Sequence, residues 1–394
     1  MRGWVRGLSL ASFALLSACV SRPLQPPVTQ PPPTTQPPII QPPKPPPPAN
    51  ALQAGISVVE PRLLDEGNAE RALAAFRISC SAATSRTDKS GLTLPSDWTT
   101  PCTAAQSVLP GAASAFFQSQ FDWVQVGTGK AFATGYYEPE ITVSRTEGPG
   151  YTVPIYMVPP DLVRCTRPDG TTGRGRIDPA TGTCVPYYSR ADIENGALAG
   201  KGLEIAWAAD PADVFFAEIQ GSAKLDFTDG TAMQIGYADQ NGLAYVPIGR
   251  LLKQQGVLPP GGTNMQAIKT WLRANPAAGQ QLMLQNPSYV FFKVLNGPGP
   301  LGALNVPITA QGTVAADPAF VPLGTPIFLA MDRPEPDGLW IAQDVGGAIK
   351  GANRFDTFWG SGPQAAQIAG GMAASGQALL LIPKGTAQRA LTHP

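Results

Sequence analysis

The sequence predicts a mainly β fold with flanking helices, and three observations carry that prediction. From Lys130 onward the chain runs in short apolar segments punctuated by Gly and Pro: residues 131–137, 153–157, 203–207, 214–219 and 232–237. This is the texture of short strands joined by tight turns. Further runs follow at 289–295, which reads as a buried strand, and at 306–309, 327–330, 339–343 and 378–382. Helical periodicity, by contrast, is confined to a few places. No internal repeat is present.

The first of those places is residues 68–80, where Asn68 could cap a helix that puts Ala69, Ala72, Leu73, Phe76 and Cys80 on one face. A second helix is expected over 112–123. Asn264 heads a third over 265–274, a fourth covers 277–284 and a last one 364–374.

Composition excludes several function classes. The 394 residues carry 28 basic and 28 acidic side chains and a net charge of zero, with no dense Lys/Arg cluster. Binding to nucleic acid through bulk charge is therefore not expected. The one histidine, His393, is the penultimate residue. That argues against Ser-His-Asp and Cys-His catalysis and against a His-ligated metal. Neither metal nor cofactor is expected, and acid–base chemistry has to rest on Asp, Glu, Tyr or Lys.

Residues 1–19 read as a targeting segment. Arg2 and Arg6 precede an apolar run over 8–16 that is too short to span a bilayer. The segment ends Leu15-Leu16-Ser17-Ala18-Cys19, which resembles the bacterial lipoprotein signal and makes Cys19 the candidate lipidation site. Lipid chains contribute about 0.8 kcal/mol per buried methylene, so more than one gives a stable anchor. Val20 stands where an aspartate would resemble an inner-membrane retention signal, so the outer membrane, periplasmic face, is the expected location. Residues 20–50 form a tether whose proline-rich part, 23–48, should be extended polyproline II at about 3.1 Å per residue.

Cys80, Cys102, Cys165 and Cys184 would then lie in an oxidising compartment. Four cysteines allow three pairings. Cys80–Cys102 and Cys165–Cys184 are favoured, because each pair brackets one polar, Gly/Thr-rich excursion. No C-x-x-C spacing supports a metal instead.

The chain's chemistry concentrates in residues 342–360, Ala-Gln-Asp-Val-Gly-Gly-Ala-Ile-Lys-Gly-Ala-Asn-Arg-Phe-Asp-Thr-Phe-Trp-Gly. Asp344 and Asp356 bracket a glycine-rich turn that also holds Lys350. Ile341, Ile349, Phe355, Phe358 and Trp359 surround them. Apolar surroundings desolvate a carboxyl, raise its pKa and fit it to act as an acid near neutral pH. A loop with two solvated aspartates is the plain alternative.

This stretch resembles the three-aspartate signature of the membrane-bound lytic murein transglycosylase A family. The pattern extends upstream through Thr313-Val314-Ala315-Ala316-Asp317-Pro318 and Val321-Pro322-Leu323-Gly324-Thr325-Pro326. Thr134-Gly135-Tyr136-Tyr137-Glu138-Pro139, Phe216-Ala217-Glu218-Ile219-Gln220-Gly221-Ser222 and the run from Asn241 to Arg250 are similar too, so the likeness covers about 132–384. The resemblance implies a six-stranded double-psi β-barrel with a second β domain inserted in it and a groove between. The barrel would take 51–138 and 288–385, with the three-aspartate region at 305–383. The inserted domain would take 139–287, leaving a tail at 386–394.

The resemblance also implies an activity: a peptidoglycan lytic exotransglycosylase, a carbon–oxygen lyase that acts on glycan strands. Such an enzyme cleaves the β-1,4 bond between N-acetylmuramic acid and N-acetylglucosamine and forms a 1,6-anhydro sugar. Asp356 would be the acid and then the base, Asp344 would support it, and Asp317 would shape the turn before Pro318. Thr134, Gly135, Tyr136, Gln220, Gly221, Ser222 and Lys350 would meet substrate. The protein would be a monomer anchored to the membrane by its N-terminal lipid, with cell-wall synthesis or division complexes as its partners.

On the residues alone, Glu138, Glu140 and Glu218 are rival acids, and only the resemblance ranks Asp356 above them. A glycoside hydrolase with two carboxylates, or a non-catalytic wall-binding lipoprotein, remain the alternative functions.

Overall fold

The computed structural model describes residues 46–258, 264–297 and 299–392. The targeting segment with Cys19, the tether as far as residue 45, and His393 lie outside the described residues.

Six strands close a barrel: β1 (Lys130–Glu138), β2 (Thr313–Ala316), β3 (Pro326–Met331), β4 (Gly338–Asp344), β5 (Arg354–Ser361) and β6 (Ala373–Pro383). Around the ring the order is β1-β6-β3-β4-β2-β5 and back to β1. The pairs β2/β4 and β5/β1 are parallel and the other four antiparallel. The expected mainly β barrel is thus present. Its interior takes every second residue, as the period of two demands: Ala133, Val314, Ala316, Ile327, Leu329, Trp340, Ala342, Phe355, Trp359 and Leu380 are all buried there.

The other face of β4 and β6 (Leu339, Ile341, Leu379, Leu381) packs on the helix Glu66–Ala83 through Leu73 and Phe76. Asp65, not Asn68, caps this helix and accepts from the Asn68 backbone N–H at 2.8 Å. Asn68 sits one turn in and is buried. Its side-chain amide donates to the Leu339 carbonyl at 3.2 Å, tying helix to barrel. The Cys80–Cys102 disulfide joins this helix to the helix Thr99–Ala105. The expected helix over 112–123 ends at Gln120, and Phe121–Val126 continues as a strand beside β6.

A second sheet of six strands runs in the order Val290–Leu295, Ala232–Gln240, Ser222–Phe227, Glu140–Ser144, Glu204–Ala208, Val153–Tyr156. Two expectations are corrected here. The strand at 290–295, assigned to the barrel segment, pairs with Ala232–Gln240 and belongs to this sheet. Residues 214–219, expected as a strand, lie inside the helix Pro211–Gln220. Asp210 accepts from the Ala212 N–H at 2.8 Å, Pro211 fills the first turn, and Gly221 closes the helix in the left-handed region at φ 81°. These capping signals outweigh the ambiguous periodicity of a short apolar run.

A small third sheet (Val163–Thr166, Thr172–Ile177, Cys184–Val185) is stapled by the expected Cys165–Cys184 disulfide. Residues 306–309 form no strand. Only an isolated bridge joins Leu301 to Pro307, and Asn305 and Gln311, both at positive φ, bend the chain on either side.

Candidate active site

The glycine-rich stretch folds as a strand end, a turn and a second strand, because its two halves belong to different barrel strands. Asp344 is the last residue of β4 and Asp356 the third of β5. Both are opposite Ala315 of β2, one on each side. Thr134 of β1 is opposite Asp356 on its other side. One row therefore crosses four adjacent strands: Asp344, Ala315, Asp356, Thr134. Residues paired across a sheet share a face, and the row shares the face opposite the barrel interior with Tyr136 and Phe358. A register shift between Val314 and Ala315 puts Asp344 on that face. Without this bulge Asp344 would share the interior parity of Trp340 and Ala342. Gln343, the extra residue, turns to the helix and donates to the Ala75 carbonyl and the Ser79 hydroxyl at 3.1 and 3.0 Å.

The two carboxylates are treated differently. Asp344 accepts three hydrogen bonds: Tyr136 Oη at 2.9 Å on Oδ2, and the N–H groups of Ala303 (3.1 Å) and Val345 (2.9 Å) on Oδ1. Burial pushes its carboxyl up while these donors pull it down. Asp356 receives one hydrogen bond, from the Thr134 hydroxyl to Oδ1 at 2.6 Å. No donor among the described residues reaches Oδ2. Burial pushes the Asp356 carboxyl up to about 6, against the Thr134 hydrogen bond and the Arg354 cation, and the charge of Asp344 adds to the rise. Asp356 is thus poised to give and take a proton near neutrality. Tyr136, held above the usual phenol range by burial and by Asp344, stays a donor.

The third aspartate, Asp317, is buried and structural in its contacts. Its Oδ1 accepts from Ala319 N–H at 3.1 Å and its Oδ2 from Gly351 N–H at 2.8 Å, which pins the turn between the two acids. Lys350, on the same turn, is exposed. Gly135 is required by packing: a Cβ there would come within 2.8 Å of the Ala369 Cα and 3.0 Å of the Met372 Cβ. Gln220 accepts from the Tyr137 N–H at 3.0 Å, so it fastens the helix Pro211–Gln220 to β1. Gly221 is that helix's C-cap. Ser222 is buried beside Glu138, whose carboxylate also takes both bonds from the Gln234 amide at 3.0 and 2.8 Å.

Of the rival acids, Glu218 is closed off by Arg190 (3.0 and 2.7 Å) and the Val290 N–H (2.9 Å). Glu140 lies 3.7 Å from Lys224 on the second sheet. Sequence reasoning missed the Ala303 donor, for which there was no signal, and Arg354, which lay inside the quoted motif.

The chain is similar to known proteins in both sequence and fold. Residues 132–293 match the family of the MltA specific insert domain, and residues 312–382 match the 3D domain. The chain is 32% identical over 253 residues to the membrane-bound lytic murein transglycosylase A of Vibrio cholerae, covering 61% of this chain and 62% of that protein. It is 35% identical to the Escherichia coli protein of that name over the same length, covering 63% of it. The chain thus spans somewhat less than two thirds of these curated relatives.

Among solved structures, a membrane-bound lytic murein transglycosylase from Agrobacterium tumefaciens superposes with TM-score 0.77 at 32% identity, over 85% of this chain and 99% of that one. MltA from Neisseria gonorrhoeae gives 0.70 at 33%, over 84% and 93%. E. coli MltA with bound chitohexaose gives 0.62 at 28%, over 83% and 94%. The closed barrel and the second sheet thus lie within a fold shared with solved lytic murein transglycosylases at 32–33% identity. This chain belongs to the membrane-bound lytic murein transglycosylase A family.

Proposed function

We propose that this protein is a peptidoglycan lytic transglycosylase in which Asp356 alone carries the proton. The observation that supports this most is a carboxyl raised to about 6, with one oxygen held by Thr134 and the other meeting no donor among the described residues. Asp356 protonates the glycosidic oxygen between N-acetylmuramic acid and N-acetylglucosamine. The carboxylate left behind takes the proton of the substrate's own C6 hydroxyl, and the ring closes to the 1,6-anhydro sugar. Intramolecular attack has a large effective concentration, so no second carboxylate has to activate water. Asp344, with both oxygens hydrogen-bonded by three donors, supports by charge and by holding Tyr136. Thr134, Tyr136, Gln220, Gly221, Ser222 and Lys350 border the glycan path, with Gly135 and Asp317 shaping it.

The reading extends to organisation. The barrel comprises 51–138 and about 296–385, and the inserted domain 139–295. Cys19 anchors the protein at the periplasmic face of the outer membrane, and the tether gives it reach to the wall. Digestion of purified sacculi, read by mass spectrometry, tests the activity. Release of anhydro-muropeptides is expected. Products one water heavier would establish a hydrolase instead, and no release would favour a wall-binding role.

A further inference from the structure

We propose that Arg354 is a positioning residue that aims the Thr134 hydroxyl proton at Oδ1 of Asp356, so that the acid's own proton is carried on Oδ2. This rests on the function proposed above. The Thr134 hydroxyl has two acceptors in reach: Asp356 Oδ1 at 2.6 Å and the Phe355 carbonyl at 3.5 Å. Which one it chooses decides whether Oδ1 is an acceptor or is free to hold a proton.

The Arg354 guanidinium acts on both sides of that choice. Its Nη2 donates to Thr134 Oγ1 at 3.0 Å, occupying a lone pair that could otherwise accept a proton from Asp356. Its Nη1 donates to the Phe355 carbonyl, the competing acceptor, and lies 3.4 Å from the Phe132 carbonyl. The hydroxyl is left with Oδ1 as its best acceptor. Guanidinium geometry suits this task, since a planar fork serves two acceptors at once and always donates. The Phe132 ring, 5.0 Å from the guanidinium carbon, holds the fork in plane.

The consequence is chemical. A carboxyl that gives a proton and then takes another works best when one oxygen does both. With Oδ1 committed as acceptor, Oδ2 delivers the proton to the glycosidic oxygen and afterwards receives the C6 hydroxyl proton. The charged or titratable groups that bear on Asp356 are Arg354 on its own strand, Asp344 on β4 and Tyr136 on β1.

The experiment uses Arg354→Met, Arg354→Lys, Thr134→Val and the double variant Arg354→Met/Thr134→Val, with anhydro-muropeptide release followed from pH 4 to 9. Each apolar single change should lower the maximal rate about ten- to a hundredfold, within the range of general acid–base effects. Each should also move the alkaline limb to higher pH, because Arg354 and Thr134 both favour the carboxylate. Arg354→Lys keeps the charge but not the fork, so it should restore the limb and not the rate. The double variant should lose no more than the worse single one, within about twofold, as expected of residues acting as a unit.

Multiplicative losses, or an alkaline limb unmoved in Thr134→Val, would overturn the inference. Should Arg354→Met fail to fold, Thr134→Val against Thr134→Ser decides it: the serine must keep the limb and most of the rate. Absence of anhydro product from the unmodified protein would refute the proposed function itself, a result distinct from any of these.

Discussion

Asp356 in the barrel and Glu218 in the inserted sheet are both desolvated carboxyls, and both have a pKa raised chiefly by burial. Their partners differ. Glu218, 5% exposed, faces a guanidinium that reaches both oxygens and a backbone N–H besides. Asp356 faces one neutral hydroxyl. Burial makes a carboxyl expensive to ionise, but the partners decide whether that cost is cancelled or kept for chemistry. Glu218 fastens the helix Pro211–Gln220 to the strand Val290–Leu295, whereas Oδ2 of Asp356 meets no donor among the described residues.

The comparison can be broken most directly at Asp356. Asp356→Asn keeps shape and removes both proton transfers, so release of anhydro product should fall by about 10⁴ or more, with circular dichroism unchanged. Near-normal release would mean that another group is the acid. Glu218→Gln should do the reverse. Leaving the buried Arg190 with only Glu194, at 3.4 Å, as counter-charge should cost up to about 3–5 kcal/mol in urea unfolding, while the alkaline limb of the surviving activity stays in place.

A third test reads the same contrast as the pH dependence of stability. The folded protein holds the Asp356 proton up to about pH 6, and the unfolded chain releases it near 3.8. The stability this group supplies is complete below about pH 4 and is lost as pH rises through 6, about 3 kcal/mol in all. Asp356→Asn should therefore be more stable than wild type at pH 7 and close to it at pH 4. Calorimetry that finds Asp356→Asn less stable at pH 7 would contradict a desolvated acid.

The smallest effect is expected at Asp344. Its charge raises the Asp356 pKa, so Asp344→Asn should shift the alkaline limb to lower pH. Activity should fall more at pH 7 than at pH 5, by no more than about tenfold. Equal loss at every pH would assign Asp344 to positioning alone.

What could be read from sequence followed the range of the interactions. The helix Met265–Ala274 with its Asn264 cap was legible, because a cap and its turn are neighbours in the chain. So were the two disulfides and the strand that leads into Asp344. β2 and β5 were not read as strands. Both faces of each are largely buried, one by the barrel core and one by Tyr136, Phe358 and the acids, so the usual alternation is lost. In residues 214–219 the apolar run masked the capping signals on either side. The Ala303 N–H that meets Asp344 across 41 residues is a backbone group in an irregular segment and leaves no trace in composition. Gly135 was expected to meet substrate, but the space a Cβ would fill there lies against Ala369 and Met372, a packing reason the sequence does not display.

The ring has one further consequence, for the order of events when the chain folds. Thr134 and Asp356 are neighbours only because β1 pairs with β5, more than 220 residues later in the sequence. β1 is held on its other edge by β6, later still in the sequence. Contacts of such separation form slowly. Asp356 and the Thr134 hydroxyl therefore cannot meet in any fragment that stops short of β5. A stretch of chain that carries all of β1 but stops before β5 holds Thr134 without its carboxylate partner, and closure of the ring waits for β6.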